Sequence, residues 1–79
     1  MKLPRDLSGQ ELAKRLKVLG YDVTRQAGSH IRLTSELCGQ HHVTIPAHDP
    51  LKIGTLSGIL TEIAIHHKMT KDSVVQMIG

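Results

Sequence analysis

The sequence predicts an α+β domain in which two helices cover one face of a three-stranded antiparallel sheet, in the order α-β-β-β-α, with a short C-terminal helix added. Three observations predict it. Leu12, Leu16 and Leu19 recur at helical spacing, and so do Leu56, Ile59, Leu60 and Ile63. Between them, residues 21–46 alternate apolar and polar, broken by short glycine-bearing segments. A chain of 79 residues has room for one core only, so residues 1–79 read as a single domain with its core over about 7–66 and a helical extension over 70–79.

Each element has a local cause. Ser8-Gly9-Gln10-Glu11 reads as a capping box, with the Ser8 hydroxyl on a free N–H and Glu11 reaching back. The helix it starts ends at Gly20, a residue suited to a left-handed cap. Tyr21–Gln26 reads as a first strand with Tyr21 and Val23 facing inward, and Ala27-Gly28 as a turn. In the second strand, Ser29–Thr34, Ile31 and Leu33 share one face while His30 and Arg32 share the other. Ser35–Gln40 is the next hairpin tip. His41–Pro46 is the third strand, with Val43 and Ile45 inward and His42 and Thr44 outward. An ordered loop, constrained by Pro46 and Pro50, leads to a helix opening at Gly54-Thr55 and fading at His66-His67-Lys68, where cations suit a helix C-terminus. Thr70 caps the last helix, whose apolar side is Val74, Val75 and Ile78.

Composition narrows the function. The single cysteine, Cys38, forms no internal disulfide, and there is no CxxC pair, so a reducing cytoplasm suits the chain. The first six residues carry no apolar run, so neither a signal peptide nor a membrane segment is expected. The net charge of +3 is uneven: residues 1–32 carry seven Lys/Arg against three acids, residues 33–79 three against four. A positive half suits a polyanionic partner. With Tyr21 the only aromatic, no base-stacking platform can form. RNA would be held through charge, hydrogen bonds and histidine.

The open sheet face carries the candidate chemistry. RNA is cut without a metal when one group takes the proton of a 2′-OH, that oxygen attacks phosphorus, and an acid protonates the leaving 5′-oxygen. Histidine suits both roles, and a cation stabilises the phosphoryl oxygens. His30 stands at the start of the second strand, just after the Ala27-Gly28 turn, where a glycine lets a substrate backbone come close. Arg32 points the same way two residues on, and Arg25 reaches in from the neighbouring strand. His48, in Pro46-Ala47-His48-Asp49, is the candidate second group, with Asp49 a candidate to orient an imidazole. Lys14 and Lys17 lie off the buried stripe of the first helix, and Lys52 precedes a helix start able to hold a phosphate. Six histidines raise a metal hypothesis, yet His41-His42 and His66-His67 are adjacent pairs, poor chelates by position, and no HExxH or Cys/His spacing is present. No metal and no cofactor is expected.

Gly28-Ser29-His30, Val43-Thr44-Ile45-Pro46-Ala47-His48 and Lys52-Ile53-Gly54-Thr55-Leu56-Ser57-Gly58-Ile59-Leu60 together resemble the HicA mRNA interferase toxins. Ser8-Gly9-Gln10-Glu11 and Leu19-Gly20-Tyr21 add to the likeness, which spans residues 7–66. The resemblance implies a fold like the double-stranded RNA-binding domain and metal-independent cleavage of mRNA in the bacterial cytoplasm, with His30 catalytic. His48, Arg32 and Ser29 are candidates for support, and Arg25, Arg32, Lys14, Lys17 and Lys52 for RNA contact. It also implies a HicB-type antitoxin partner. The competing class is a non-catalytic double-stranded RNA-binding or protein-interaction module on the same fold, disfavoured because only Lys52 stands near the helix start where such modules grip phosphate.

Overall fold

A computed structural model describes residues 3–79. The elements are α1 (Gly9–Arg15) continued by a 3-10 turn (Leu16–Leu19), β1 (Asp22–Ala27), β2 (His30–Ser35), β3 (His41–Pro46), α2 (Ile53–His67) and α3 (Lys71–Ile78). The three strands form one antiparallel meander in the order β1-β2-β3. The α+β class and the three-stranded sheet under helices are as predicted.

The apolar stripes find each other. Leu12, Leu16 and Leu19 from the first helical segment meet Leu56, Leu60 and Ile63 of α2 above Ile31, Leu33, Val43 and Ile45 of the sheet, and all are buried. Val74, Val75 and Ile78 of α3 join the same core. This last helix is tied down at both ends: the Lys71 ammonium donates to Ser57 Oγ on α2, and Arg15 Nη1 donates to the Ile78 carbonyl at 3.3 Å.

Four expectations are corrected. Val23 is 48% exposed rather than inward. It lies opposite Leu33 on the helix side of the sheet, but the helices lean chiefly on β2 and β3, leaving every residue of β1 exposed. Tyr21 is fully buried as expected, yet precedes the strand. β2 runs one residue further than its alternation suggests, to Ser35. The Ser35 hydroxyl is buried because it donates to the Leu19 carbonyl (2.9 Å) and accepts from the Leu37 amide (3.2 Å). Ser8 does cap α1, accepting from the Glu11 amide at 3.0 Å, but the Glu11 carboxylate faces Arg15, 3.7 Å away and one turn on.

The start of α1 is pressed against the end of β3. The Gly9 amide donates to the His48 carbonyl (2.9 Å), and the Leu51 amide to the Leu7 carbonyl (2.8 Å). A Cβ on Gly9 would run into the Pro46 carbonyl oxygen and stand 3.1 Å from Ala47 Cα. Backbone on both sides leaves nothing to yield. Gly9→Ala is therefore expected to lower stability by about 1–3 kcal/mol. Gly58, inside α2, faces open space, and Gly58→Ala is expected to raise stability by about 0.4–1 kcal/mol. Thermal unfolding of the two variants beside the parent checks both signs.

Candidate active site

Strand pairing arranges the open face as three rows, because directly opposed residues share a face. Ala27, His30 and Pro46 form the first row, Arg25, Arg32 and Thr44 the second, and Asp22, Thr34 and His42 the third. Simple alternation from Val23 would turn Arg25 toward the helices. It does not, because the β1–β2 register shifts between Val23 and Arg25. Thr24 is the extra residue of this bulge. Its hydroxyl lies on the open face, 3.3 Å from the Arg32 carbonyl and 3.1 Å from Thr34 Oγ1. Arg25 thereby comes to stand directly across from Arg32. Two opposed guanidiniums repel, and neither forms an ion pair among the described residues. An anion between them would relieve that repulsion.

The six histidines divide into two sets. His41 Nδ1 lies 2.7 Å and His67 Nε2 3.0 Å from the buried Tyr21 hydroxyl. His41 Nε2 faces Glu62 at 3.5 Å. His66 Nε2 donates to the Leu37 and Gly39 carbonyls at 3.2 and 2.9 Å, and its ring stacks on His41 with centroids 4.3 Å apart. These three imidazoles fasten the β2–β3 hairpin tip to the end of α2. His42 Nδ1 is bonded to Thr34 Oγ1 at 2.8 Å. His30 and His48 alone have no hydrogen-bond partner for the ring among the described residues, and both are exposed.

The fold brings His30 and His48 to one end of the sheet. His30 pairs with Pro46, and the Ala47 amide continues the ladder by donating to the Ser29 carbonyl at 2.7 Å. With the His48 carbonyl holding the Gly9 amide, the His48 backbone is fixed while its ring stays free. Gly28 has φ +58°, and a Cβ there would touch nothing. Its requirement is the two-residue hairpin turn, whose first central position favours glycine. Asp49 forms no ion pair among the described residues, where the only pairs are Arg15–Glu11 and His41–Glu62.

The remaining candidate cations lie elsewhere. Lys14 and Lys17 are exposed on the first helical segment, on the helix layer and not on the open face. Lys52 is the N-cap residue of α2 and lines a shallow depression of about 370 Å³ with Arg5 and Asp6. At the far end of the open face a depression of about 420 Å³ runs from Arg25 and Arg32 to His42, Glu36 and Gln40. The sequence put His42 on this face but showed neither its bond to Thr34 nor the bulge that brings in Thr24. Aligning the two hairpin strands residue by residue would have revealed the first; no local signal marks the second. Among the described residues, no group of three or more His, Cys, Asp or Glu side chains is placed to hold a metal, and no helix is long and apolar enough to cross a membrane.

Burial and the Glu62 carboxylate push the Tyr21 hydroxyl up to about 12. It stays a donor at any ordinary pH. His67 is held below its ordinary value by burial first, then by His66 and His41. The helix-end histidine read as a cation is therefore a neutral bonding group.

A family model described as the HicA toxin of bacterial toxin–antitoxin systems matches residues 9–65, most of the chain and all of the sheet. No curated protein and no solved structure matches significantly.

The lowered His67 value carries a prediction. In the unfolded chain this imidazole protonates near its ordinary 6.5, while in the folded protein it resists the proton. Its contribution to stability is thus complete above about pH 6.5 and is lost as the pH falls below that value. The melting temperature of the parent is expected to drop between pH 7 and pH 5, with a shallower drop in His67→Gln.

Proposed function

The chain belongs to the HicA toxin family of bacterial toxin–antitoxin systems, and on that premise we propose that it is a ribonuclease toxin that cuts mRNA with His30 as the catalytic base. The observation that carries this reading is the unpartnered, exposed ring of His30 one row from the opposed Arg25–Arg32 pair. Adjacent rows stand about 7 Å apart along a strand, so a phosphodiester can lie between the guanidiniums and the imidazole.

His30 takes the proton of the 2′-OH as that oxygen bonds to phosphorus. The bond from phosphorus to the 5′-oxygen breaks, leaving a 2′,3′-cyclic phosphate, and the departing oxygen needs a proton. His48, from the same end of the sheet, supplies it. Arg32 and Arg25 stabilise the charge on the phosphoryl oxygens, a role strongest where donors are fixed beforehand. Ser29 supports the site through its carbonyl, which anchors the strand end that carries His48. Lys52, at the N-cap of α2, suits a further phosphate, whereas Lys14 and Lys17 on the helix layer suit RNA only where it wraps past the sheet edge. The implied protein partner is a HicB-type antitoxin that masks the open face, and the implied setting is the cytoplasm. The toxin domain takes in residues 1–79, with its core over about 7–66, and α3 packs on that core as an extension.

His30→Ala is expected to slow RNA cleavage by about 10²–10⁴-fold, while the exposed position keeps the change in stability within about 0.5 kcal/mol. A chelator should leave the rate unchanged, and DNA of the same sequence should survive. The assay is cleavage of a labelled RNA beside a thermal melt of each protein. A folded His30→Ala protein that cuts at the parent rate would overturn the assignment. The same variant separates an enzyme from a mere binder, since it should still hold RNA.

A further inference from the structure

The third row of the open face has an organisation that cleavage at His30 does not use. One donor direction satisfies its polar chain. The Thr24 hydroxyl donates to the Arg32 carbonyl, Thr34 donates to Thr24, and His42 Nδ1 then donates to Thr34. That order leaves His42 with a fixed ring and an unused Nε2. The ring lines the depression of about 420 Å³ that also holds Arg25, Arg32, Glu36 and Gln40. Gln40 Nε2 donates to Glu36 Oε1 at 3.1 Å, so this carboxylate is held in place as well.

The depression is therefore polarised, with two guanidiniums at one side and an oriented carboxylate and amide at the other. A ligand matching it carries an anionic group and, a short distance away, hydrogen-bonding edges with at least one N–H. A nucleotide unit has this shape: phosphate for the arginines, base edge for Glu36, Gln40 and His42 Nε2. Four residues of strand separate the His42 row from the His30 row, about 14 Å. One phosphodiester cannot reach both imidazoles.

We infer that the depression around His42 is a nucleotide subsite, which holds one of the two nucleotides joined at the phosphodiester cut by His30, with Arg25 and Arg32 on that shared phosphate. This rests on the ribonuclease reading of the first row. His42 is a binding residue here, Thr34 its positioning residue, and Glu36 favours bases that bear an exocyclic amine, since a carboxylate accepts from such a group and repels a carbonyl edge.

The test uses 2′-O-methyl oligonucleotides of A, C or U, which lack the attacking hydroxyl and stay intact. Arg25→Ala and His42→Ala are each expected to weaken binding about tenfold, with the salt slope of Arg25→Ala lower by about 1. Thr34→Val, which keeps the ring but frees it, should lose less than His42→Ala. Glu36→Gln should narrow the preference for oligo(A) and oligo(C) over oligo(U). His30→Ala should bind like the parent. If the parent binds and cleaves RNA while His42→Ala matches it in affinity and Glu36→Gln keeps its base preference, the subsite is wrong and the ribonuclease reading stands. If the folded parent neither binds nor cuts any RNA, both fall.

Discussion

The register between β2 and β3 is the constraint on which the rest of the molecule depends. It buries Ile31, Leu33, Val43 and Ile45 together and, by the period of two, exposes His30, Arg32, His42 and Thr44 together. A slip of β3 by one residue would place Val43 and Ile45 in water, at about 1.5–3 kcal/mol each, and drive His42 and Thr44 under the helices. Core and candidate site are thus two faces of one pairing. The same register carries the chain past Pro46 so that Ala47 bonds Ser29 and His48 bonds Gly9, which joins the sheet end to the start of α1.

Histidine has two uses in this chain. His41, His66 and His67 close a polar seam around the Tyr21 hydroxyl, where burial keeps Tyr21 protonated and His67 neutral. With a single aromatic and no disulfide, the hairpin tip has little apolar surface to hold it. Hydrogen bonds to α2 do that instead. The exposed set works on the opposite principle. The unpartnered rings of His30 and His48 each leave a nitrogen free to exchange a proton, which general acid–base catalysis requires.

The bulge at Thr24 costs β1 its regular ladder and gains the open face a second guanidinium. Opposed arginines destabilise an empty sheet, and nothing in the core asks for them. Local arrangements that cost stability without a packing reason mark functional surfaces. The polar chain from Thr24 through Thr34 to His42 shows the bulge serving a second purpose, because Thr24 ends that chain on the Arg32 carbonyl.

Short-range regularities were legible in the residues themselves. Leu12, Leu16 and Leu19 at helical spacing specified the first helix, Gly20 its end, and the alternation Ile31-Arg32-Leu33 the face on which His30 stands. Each depends on neighbours within a turn or a strand, so the pattern carries the whole cause. The motifs around Gly28-Ser29-His30 carried the family as well. The exposure of Val23 depended on which strands the helices cover, a matter of layer width. The turning of Arg25 depended on one extra residue between paired strands, and the neutral state of His67 on its burial beside His66 and His41. These are long-range facts. Only once the chain closed on itself did tertiary structure decide which cations share a face and which imidazoles remain free.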